Sequence, residues 1–397
     1  MKKKLLFAID SLDCAGAEKS LVTLLSLIDK TKYSIDLMLF GHGGALEQLV
    51  PTHVNILEPL KYTKFTRLPL KKAVFFAAKH LRYDMLASRI RYTIKLRRKK
   101  YSNAQKARVY WQSVSGVIEK NPKSYDIAIS YAQGVPTFYV AEKVIAKKKL
   151  AWVNVSYRLD EMDKNFQKTY YEKFDRVVAV SDSTKEILLE TFPALKDKTK
   201  VIYDINNPVL INNMALLEEN PYNDGFDGIR ILTIGRLANQ KGYDIAVEAC
   251  KRLKEEGLNF RWYALGKGPL EAEIKELIQL NGLEEDFILL GVKANPYPYI
   301  KNADIYVQTS RFEGFGLAIA EARMLNIPVV TTKFDAVYNQ MVDHKNGLVV
   351  EMNPEAIFNG IFKLIKNSSL RESIKHYLST EKKGNVEEIK KFYQLIS

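Results

Sequence analysis

The chain has 397 residues, 47% of them hydrophobic and 27% charged, with a formal net charge of +14. That length exceeds what one hydrophobic core usually serves, so two domains are expected, and the composition excludes a disordered chain. The two cysteines, Cys14 and Cys250, lie far apart with no partner at metal-ligand spacing, which points to a reduced, cytosolic chain rather than a disulfide scaffold.

The lysines at 2–4 and the apolar run Leu5–Ile9 mimic a signal peptide for a few residues. The run stops at Asp10 and no small-residue cleavage site follows, so a first strand is expected there. No run approaches the length of a membrane-spanning helix. A loop, Asp13-Cys14-Ala15-Gly16-Ala17, leads to a helix from about Glu18 to Leu27, and Ile35 to Phe40 is the next strand, ending in Gly41-His42-Gly43-Gly44.

Between Leu60 and Lys120 the strand–helix alternation lapses into a helical, basic stretch without strands, read as an insertion. Residues 61–110 hold sixteen Lys and Arg, Lys99 and Lys100 among them, against one acid, Asp84, so this segment carries +15 and the rest is close to neutral. Apolar residues interleave with the charges, including Leu70, Val74, Phe75, Leu81, Ile90 and Ile94. A basic amphipathic helix suits an anionic membrane surface, and no nucleic-acid motif accompanies it. A plainly solvated face is the other reading of such a charge run.

The alternation returns with strands at Asp126–Ser130, Leu150–Val155 and Arg176–Ser181. Ser181 and Asp182 suit the N-cap of a helix at Thr184–Thr191. Residues 204–228, rich in Asn, Pro, Gly and Asp, read as a linker. A second series follows, with strands at Arg230–Ile234, Phe260–Leu265, Phe287–Leu290, Asp304–Gln308, Pro328–Thr331 and Gly347–Val350. Helices are expected at Tyr243–Glu256, Pro269–Gln279 and Phe315–Met324.

Two successive series of this kind predict an α/β protein with two parallel sheets. The expected divisions are an amino-terminal domain over 1–205 with the insertion at about 60–120, a carboxyl-terminal domain over 206–380, and a helix within 381–397 whose packing the sequence leaves open. Ligands of such sheets sit at the carboxyl ends of the strands, so facing sheets would place a site in the cleft.

Three strand-to-helix turns in the second series could carry chemistry. Glu313-Gly314-Phe315-Gly316-Leu317 opens a helix that contains Glu321, so free amides can face an anion and two carboxylates can accept hydrogen bonds from sugar hydroxyls. Gly235-Arg236-Leu237 with Gln240-Lys241-Gly242 offers a forked guanidinium and a point-charge ammonium to a diphosphate. Gly266-Lys267-Gly268-Pro269 reads as a structural turn.

In order and spacing these turns resemble the retaining glycosyltransferases of family four, the glycosyl transferases group 1, which have the GT-B fold of two Rossmann-like domains facing across a cleft. The resemblance is specific over residues 229–350 and looser over 1–205, where it rests on Gly16-Ala17-Glu18, Val180-Ser181 and Asn207-Pro208. It implies that Arg236 and Lys241 bind the donor diphosphate, aided by the amides of Phe315, Gly316 and Leu317. Glu321 would then hold the ribose, Glu313 the donor sugar, with Gly235 and Gly314 lining the site. Gly16 would lie under the phosphates or the acceptor, and Val292 near the base. The family is generally taken to work without a metal or other cofactor, and the sequence has no Asp-x-Asp.

The implied reaction moves a hexosyl or N-acetylhexosaminyl group from a nucleotide-sugar, a UDP-sugar by preference, to a lipid-linked or other saccharide acceptor at the inner face of the cell membrane. A nucleotide-sugar epimerase of the same fold, or a catalytically silent partner subunit, are the rival readings. One departure concerns Ala151-Trp152-Val153-Asn154-Val155-Ser156, where many members carry a histidine at the position of Asn154. Asn154 and His42 are therefore the acceptor-side candidates.

Overall fold

Long buried strands of a parallel sheet need apolar residues on both faces, and the runs singled out in the sequence supply them. The computed structural model describes residues 2–13, 16–98, 101–155, 159–219 and 221–397. Cys14, Lys99, Lys100 and Ser156 lie outside the described residues. The chain forms two compact units, one of residues 2–13, 17–202 and 391–397 and one of residues 16 and 203–390.

The first unit holds β1 (Lys3–Ile9), β2 (Tyr33–Leu39), β3 (Val54–Ile56), β4 (Ser124–Ser130), β5 (Ile145–Val153), β6 (Arg176–Ala179) and β7 (Thr199–Val201). They pair in the order β3-β2-β1-β4-β5-β6-β7, and every pairing is parallel. Its core runs from Leu6 and Ala8 through Trp111, Phe138, Tyr139 and Val177. The sequence reading found five of these strands and missed β3 and β7. At three residues each, neither is long enough to show a period.

The second unit holds β8 (Ile229–Ile234), β9 (Phe260–Leu265), β10 (Phe287–Gly291), β11 (Ile305–Gln308), β12 (Val329–Thr332) and β13 (Gly347–Val350). The order is β10-β9-β8-β11-β12-β13, again parallel throughout. The order reverses at β8 and β11, which is the switch point where such sheets bind ligands. Two Rossmann-like parallel sheets with helical connections are the architecture expected for GT-B.

Residues 204–228 are not the plain linker that their composition suggests. Asn207 accepts the N–H of Leu210 at 3.3 Å and Pro208 follows it, an N-cap and first-turn pair that starts the helix Pro208–Ala215. Ile211, Ala215 and Tyr222 are buried in a core of the second unit with Leu232, Tyr263 and Tyr306. Asp224 extends this anchor. Desolvation pushes its carboxyl up, but hydrogen bonds from Tyr263, the Phe226 N–H and Arg230 outweigh it and bring its pKa down to about 2.

The closing helix, Ile389–Ile396, packs on the first unit. Phe392 is fully buried beside Phe7, with ring centroids 6.2 Å apart. The Tyr393 hydroxyl donates to the Leu27 carbonyl at 3.2 Å and accepts the Asp29 N–H at 2.9 Å. Lys148 Nζ donates to the Leu395 carbonyl at 2.6 Å.

The described residues of the basic insertion form four helices, Lys61–Thr66, Leu70–Lys79, Tyr83–Arg98 and Asn103–Val114. Tyr62, Phe65, Ala73, Met85 and Trp111 bind it into the first unit's core. Several of its cations serve structure rather than the surface. Arg108 is buried and paired with Asp163 at 2.5 Å, Arg89 donates to the Leu68 carbonyl at 2.8 Å, and Arg82 pairs with Asp84 at 2.9 Å. The apolar residues divide likewise: Met85 is core, while Leu70, Val74, Phe75, Leu81, Tyr83, Ile90 and Ile94 stand exposed. Among the described residues no helix is long and apolar enough to cross a membrane.

Candidate functional site

β8 and β11 are neighbours, with Ile231 opposite Ile305 and Leu232 opposite Tyr306, so the turns after them meet although they are distant in sequence. Thr309 Oγ1 donates to the Lys241 carbonyl at 2.8 Å, the Arg311 N–H to the Gln240 carbonyl at 2.7 Å, and Gln240 Nε2 to the Phe312 carbonyl at 2.9 Å. Gly242 makes this possible. Its φ is +61°, and a Cβ there would lie 2.1 Å from the Thr309 carbonyl oxygen.

The two predicted motifs are joined through their side chains. Lys241 Nζ and Glu313 Oε1 form a largely buried ion pair. The same Oε1 accepts Ser310 Oγ at 2.6 Å and Gln308 Nε2 at 3.3 Å. Gln308 is itself held by the Tyr306 hydroxyl, which donates to its Oε1 at 2.5 Å. Glu313 is therefore a fixed anion with three donors, one of them cationic. Arg236, by contrast, is exposed, and among the described residues it has no ion-pair partner. It is the cation left available to an incoming anion.

The helix Leu317–Met324 begins beside this pair. Gly316 caps it in the left-handed region with φ +84°. Gln340 Nε2 donates to the carbonyls of Phe315 and Gly316 and fixes the turn. The Ile319 and Ala320 N–H groups donate to the Gly316 carbonyl, so of the first turn only the Leu317 and Ala318 amides precede the helical acceptors. Glu321, one turn further on, is 2% exposed and accepts the Tyr297 hydroxyl at 3.1 Å. Burial, then the Glu321 charge, pushes the Tyr297 phenol well up, so it stays protonated and donates. Positive dipole, cation and fixed carboxylate thus lie at one switch point, an arrangement suited to a phosphorylated sugar derivative.

The other predicted residues are placed as follows. Gly235 follows β8 and its carbonyl accepts the Tyr243 hydroxyl at 2.9 Å. Gly314 is buried within the β11 turn. Val292 follows β10, the edge strand, two places from β8 in the sheet. The turn 266–269 is structural, since the Leu237 N–H donates to the Lys267 carbonyl and the Leu270 N–H to the Leu237 carbonyl. Gly16 is the first residue of the helix Gly16–Leu27 in the amino-terminal half.

Asn154 and His42 follow β5 and β2, with β1 and β4 between those strands. Three strand spacings, roughly 14 Å, separate the two strands that carry them. Asn154 Nδ2 donates to the Tyr131 carbonyl at 2.6 Å, and Gln133 Oε1 accepts the N–H groups of Asn154 and Val155 at 3.1 and 3.0 Å. Among the described residues, Asn154 Oδ1 and His42 Nε2 are buried without a hydrogen-bond partner.

Gln308, Ser310, Tyr297 and Gln340 were not found from the sequence. The one available signal was polarity at the end of an apolar strand, Ile305-Tyr306-Val307-Gln308-Thr309-Ser310. Among the described residues no group of three or more His, Cys, Asp or Glu is placed to hold a metal ion.

Comparison with known proteins agrees with this geometry. Residues 222–379 match the family model described as Glycosyl transferases group 1. An uncharacterized glycosyltransferase of Methanocaldococcus jannaschii is 32% identical over 169 residues, 42% of this chain and 41% of that protein. The N-acetylgalactosamine-N,N'-diacetylbacillosaminyl-diphospho-undecaprenol 4-alpha-N-acetylgalactosaminyltransferase of Campylobacter jejuni is 30% identical over 216 residues, 54% of this chain and 57% of that protein. The chain thus spans about half the length of the curated relatives it matches. The crystal structure of Anabaena HepE with UDP and glucose aligns over 99% of this chain and 98% of that one, with a TM-score of 0.70 and 17% identity. That likeness shows the GT-B fold.

Proposed function

We propose that this chain, whose residues 222–379 match the glycosyl transferases group 1 family model, transfers a sugar from a UDP-sugar to a lipid-linked saccharide, with retention at the anomeric carbon. The observation that carries the reading is the Lys241–Glu313 pair at the β8–β11 switch point, beside the start of the helix Leu317–Met324 and Arg236, which among the described residues has no ion-pair partner.

Breaking a glycosyl–phosphate bond leaves negative charge on the departing diphosphate. Preorganised cations and amides stabilise that charge more than they stabilise the ground state. Arg236 supplies a forked contact and the Leu317 and Ala318 amides at the start of the helix supply aligned donors. A diphosphate competes with Glu313 for Lys241. Glu313 stays ordered meanwhile, because Ser310 and Gln308 still hold it, and its second oxygen can accept a sugar hydroxyl. Glu321, steadied by Tyr297, is placed for ribose hydroxyls. On this reading the chain's own cations and amides neutralise the leaving group.

The lipid-linked acceptor draws support from the Campylobacter jejuni relative, whose name includes a diphospho-undecaprenol carrier. UDP as the donor nucleotide draws on the HepE complex. The exposed apolar residues Leu70, Val74, Phe75 and Leu81 stand among Lys71, Lys72 and Lys79, which suits peripheral binding to an anionic inner leaflet.

Release of UDP from a panel of UDP-sugars, with membrane extract as acceptor source, tests the activity. Turnover that vanishes in Lys241→Ala supports the proposal. Absence of turnover with every donor, or equal turnover in the variant, refutes it.

A further inference from the structure

A side-chain carboxamide carries donors at one end and an acceptor at the other, so its neighbours fix which way it faces. Gln340 is 8% exposed. Its Nε2 donates to the carbonyls of Phe315 and Gly316, while its Oε1 accepts Arg323 Nη1 at 3.4 Å. Two acceptors on one side and a cation on the other agree on a single orientation. The reverse would set Oε1 against two carbonyl oxygens and the amide protons against a guanidinium.

Arg323 is fixed in turn. Its Nε and Nη2 make a forked contact with Glu381 at 3.2 and 2.7 Å, and both side chains are largely buried. Asn346, 1% exposed, donates from Nδ2 to the Gln340 carbonyl at 3.1 Å. The backbone of Gln340 is therefore held as well as its side chain.

A trans peptide unit is planar, with its N–H opposite its C=O. Drawing in the Phe315 carbonyl therefore aims the Gly316 N–H, and drawing in the Gly316 carbonyl aims the Leu317 N–H, both away from Gln340. The approach is close, since a Cβ on Gly316 would stand 3.0 Å from Nε2, and the φ of +84° already favours glycine. The Gly316 carbonyl also accepts the Ile319 and Ala320 N–H groups at 3.0 and 3.3 Å, which seats the same peptide unit on the helix. An anion that meets amides already aimed spends none of its binding energy on reorienting them.

We infer that Gln340, oriented by Arg323 and Glu381, is a positioning residue for the donor's diphosphate. It aims the Gly316 and Leu317 N–H groups at phosphate oxygens and plays no part in holding the nucleoside. The inference rests on the nucleotide-sugar reading of this turn. Preference for the diphosphate over the bare nucleoside is then set in part by three side chains that stand behind the turn and do not touch the ligand.

Dissociation constants of UDP and of uridine for the full chain, from calorimetry and ligand-observed NMR, test this. Gln340→Met keeps the length of the side chain and removes both polar ends. UDP should then bind roughly tenfold more weakly, the size of one hydrogen bond to a charged group, while uridine binds as before. Arg323→Met combined with Glu381→Met replaces the ion pair by two apolar chains, an exchange that can leave stability unchanged. There UDP should weaken several-fold and uridine should not, with the melting temperature near that of the wild type. Equal weakening of UDP and uridine in these variants would make the network a support of the fold alone and overturn the inference. UDP bound by the folded variants as tightly as by the wild type overturns it too. A wild type that binds neither compound condemns the nucleotide-sugar reading, whereas binding of both without a selective loss condemns the positioning role alone.

Discussion

The two parallel-sheet units solve the same folding problem and differ in how they present side chains to a ligand. In the second unit the strand ends of β8 and β11 carry a closed polar network, Lys241–Glu313–Ser310–Gln308–Tyr306, in which each member has a partner. In the first unit Asn154 Oδ1 and His42 Nε2, beyond the strand ends, and Gln167 Nε2, on the helix Glu161–Tyr171, are buried without a hydrogen-bond partner among the described residues. A closed network positions charge and suits a ligand of fixed chemistry, such as a diphosphate. Open single groups suit a ligand that varies with the saccharide being extended. Fixed chemistry on one side and adjustable shape on the other is the division of labour proposed for donor and acceptor.

The largest expected effect separates the units by stability. Phe392→Ala removes a fully buried ring that ties the carboxyl terminus to the first unit, and should cost about 3–5 kcal/mol. The loss should appear in amide exchange of residues 17–202, while UDP binding by the second unit is kept. Loss of UDP binding at a temperature where the variant is folded would break the comparison.

Lys241→Ala should lower turnover by roughly 10²–10³-fold, the size of removing one preorganised donor to developing charge. Steady-state kinetics with the preferred donor check this, and an unchanged kcat would place charge stabilisation elsewhere.

How much was legible from the sequence follows the same division. Buried runs such as Phe260–Leu265 and Gly347–Val350 announce themselves, and their observed bounds match the expected ones. The glycine turns after β8 and β11 were legible because backbone geometry dictates residue type. Gln308, Ser310 and Gln340 were not, since their roles arise only when two turns some 70 residues apart are brought together, as Lys241 and Glu313 are with a separation of 72. Pro208–Ala215 was hidden for a different reason. Asn-Pro signals both a linker and a helix start, and only the burial of Ile211 and Ala215 decides between them.

A third, smaller effect concerns acid. The Asp224 carboxyl is held at about 2, below its unfolded value of roughly 3.9, so its contribution is complete above the unfolded pKa. About 2 kcal/mol of stability should be lost as pH falls from about 4 to 2, and Asp224→Asn should flatten that part of the profile. Denaturant titrations across this window check it. An unchanged slope in the variant would remove Asp224 as the anchor between residues 204–228 and the second unit's sheet.

The smallest effect on stability is expected at the insertion. Phe75→Ser and Leu81→Ser alter exposed side chains and should change stability by no more than about 0.5 kcal/mol. Flotation with anionic vesicles should nevertheless fall several-fold, with little binding to neutral vesicles by either form. Equal flotation of wild type and variants would return the basic segment to a solvated face.

The central claim, a nucleotide-sugar site built on Lys241 and Glu313, is tested most directly by the UDP-induced shift in melting temperature of the wild type and of Lys241→Ala. A ligand bound only by the folded state raises stability with its occupancy. The account predicts a clear, concentration-dependent rise in the wild type and its loss or steep reduction in the variant. No rise in the wild type, or the same rise in both, would contradict it.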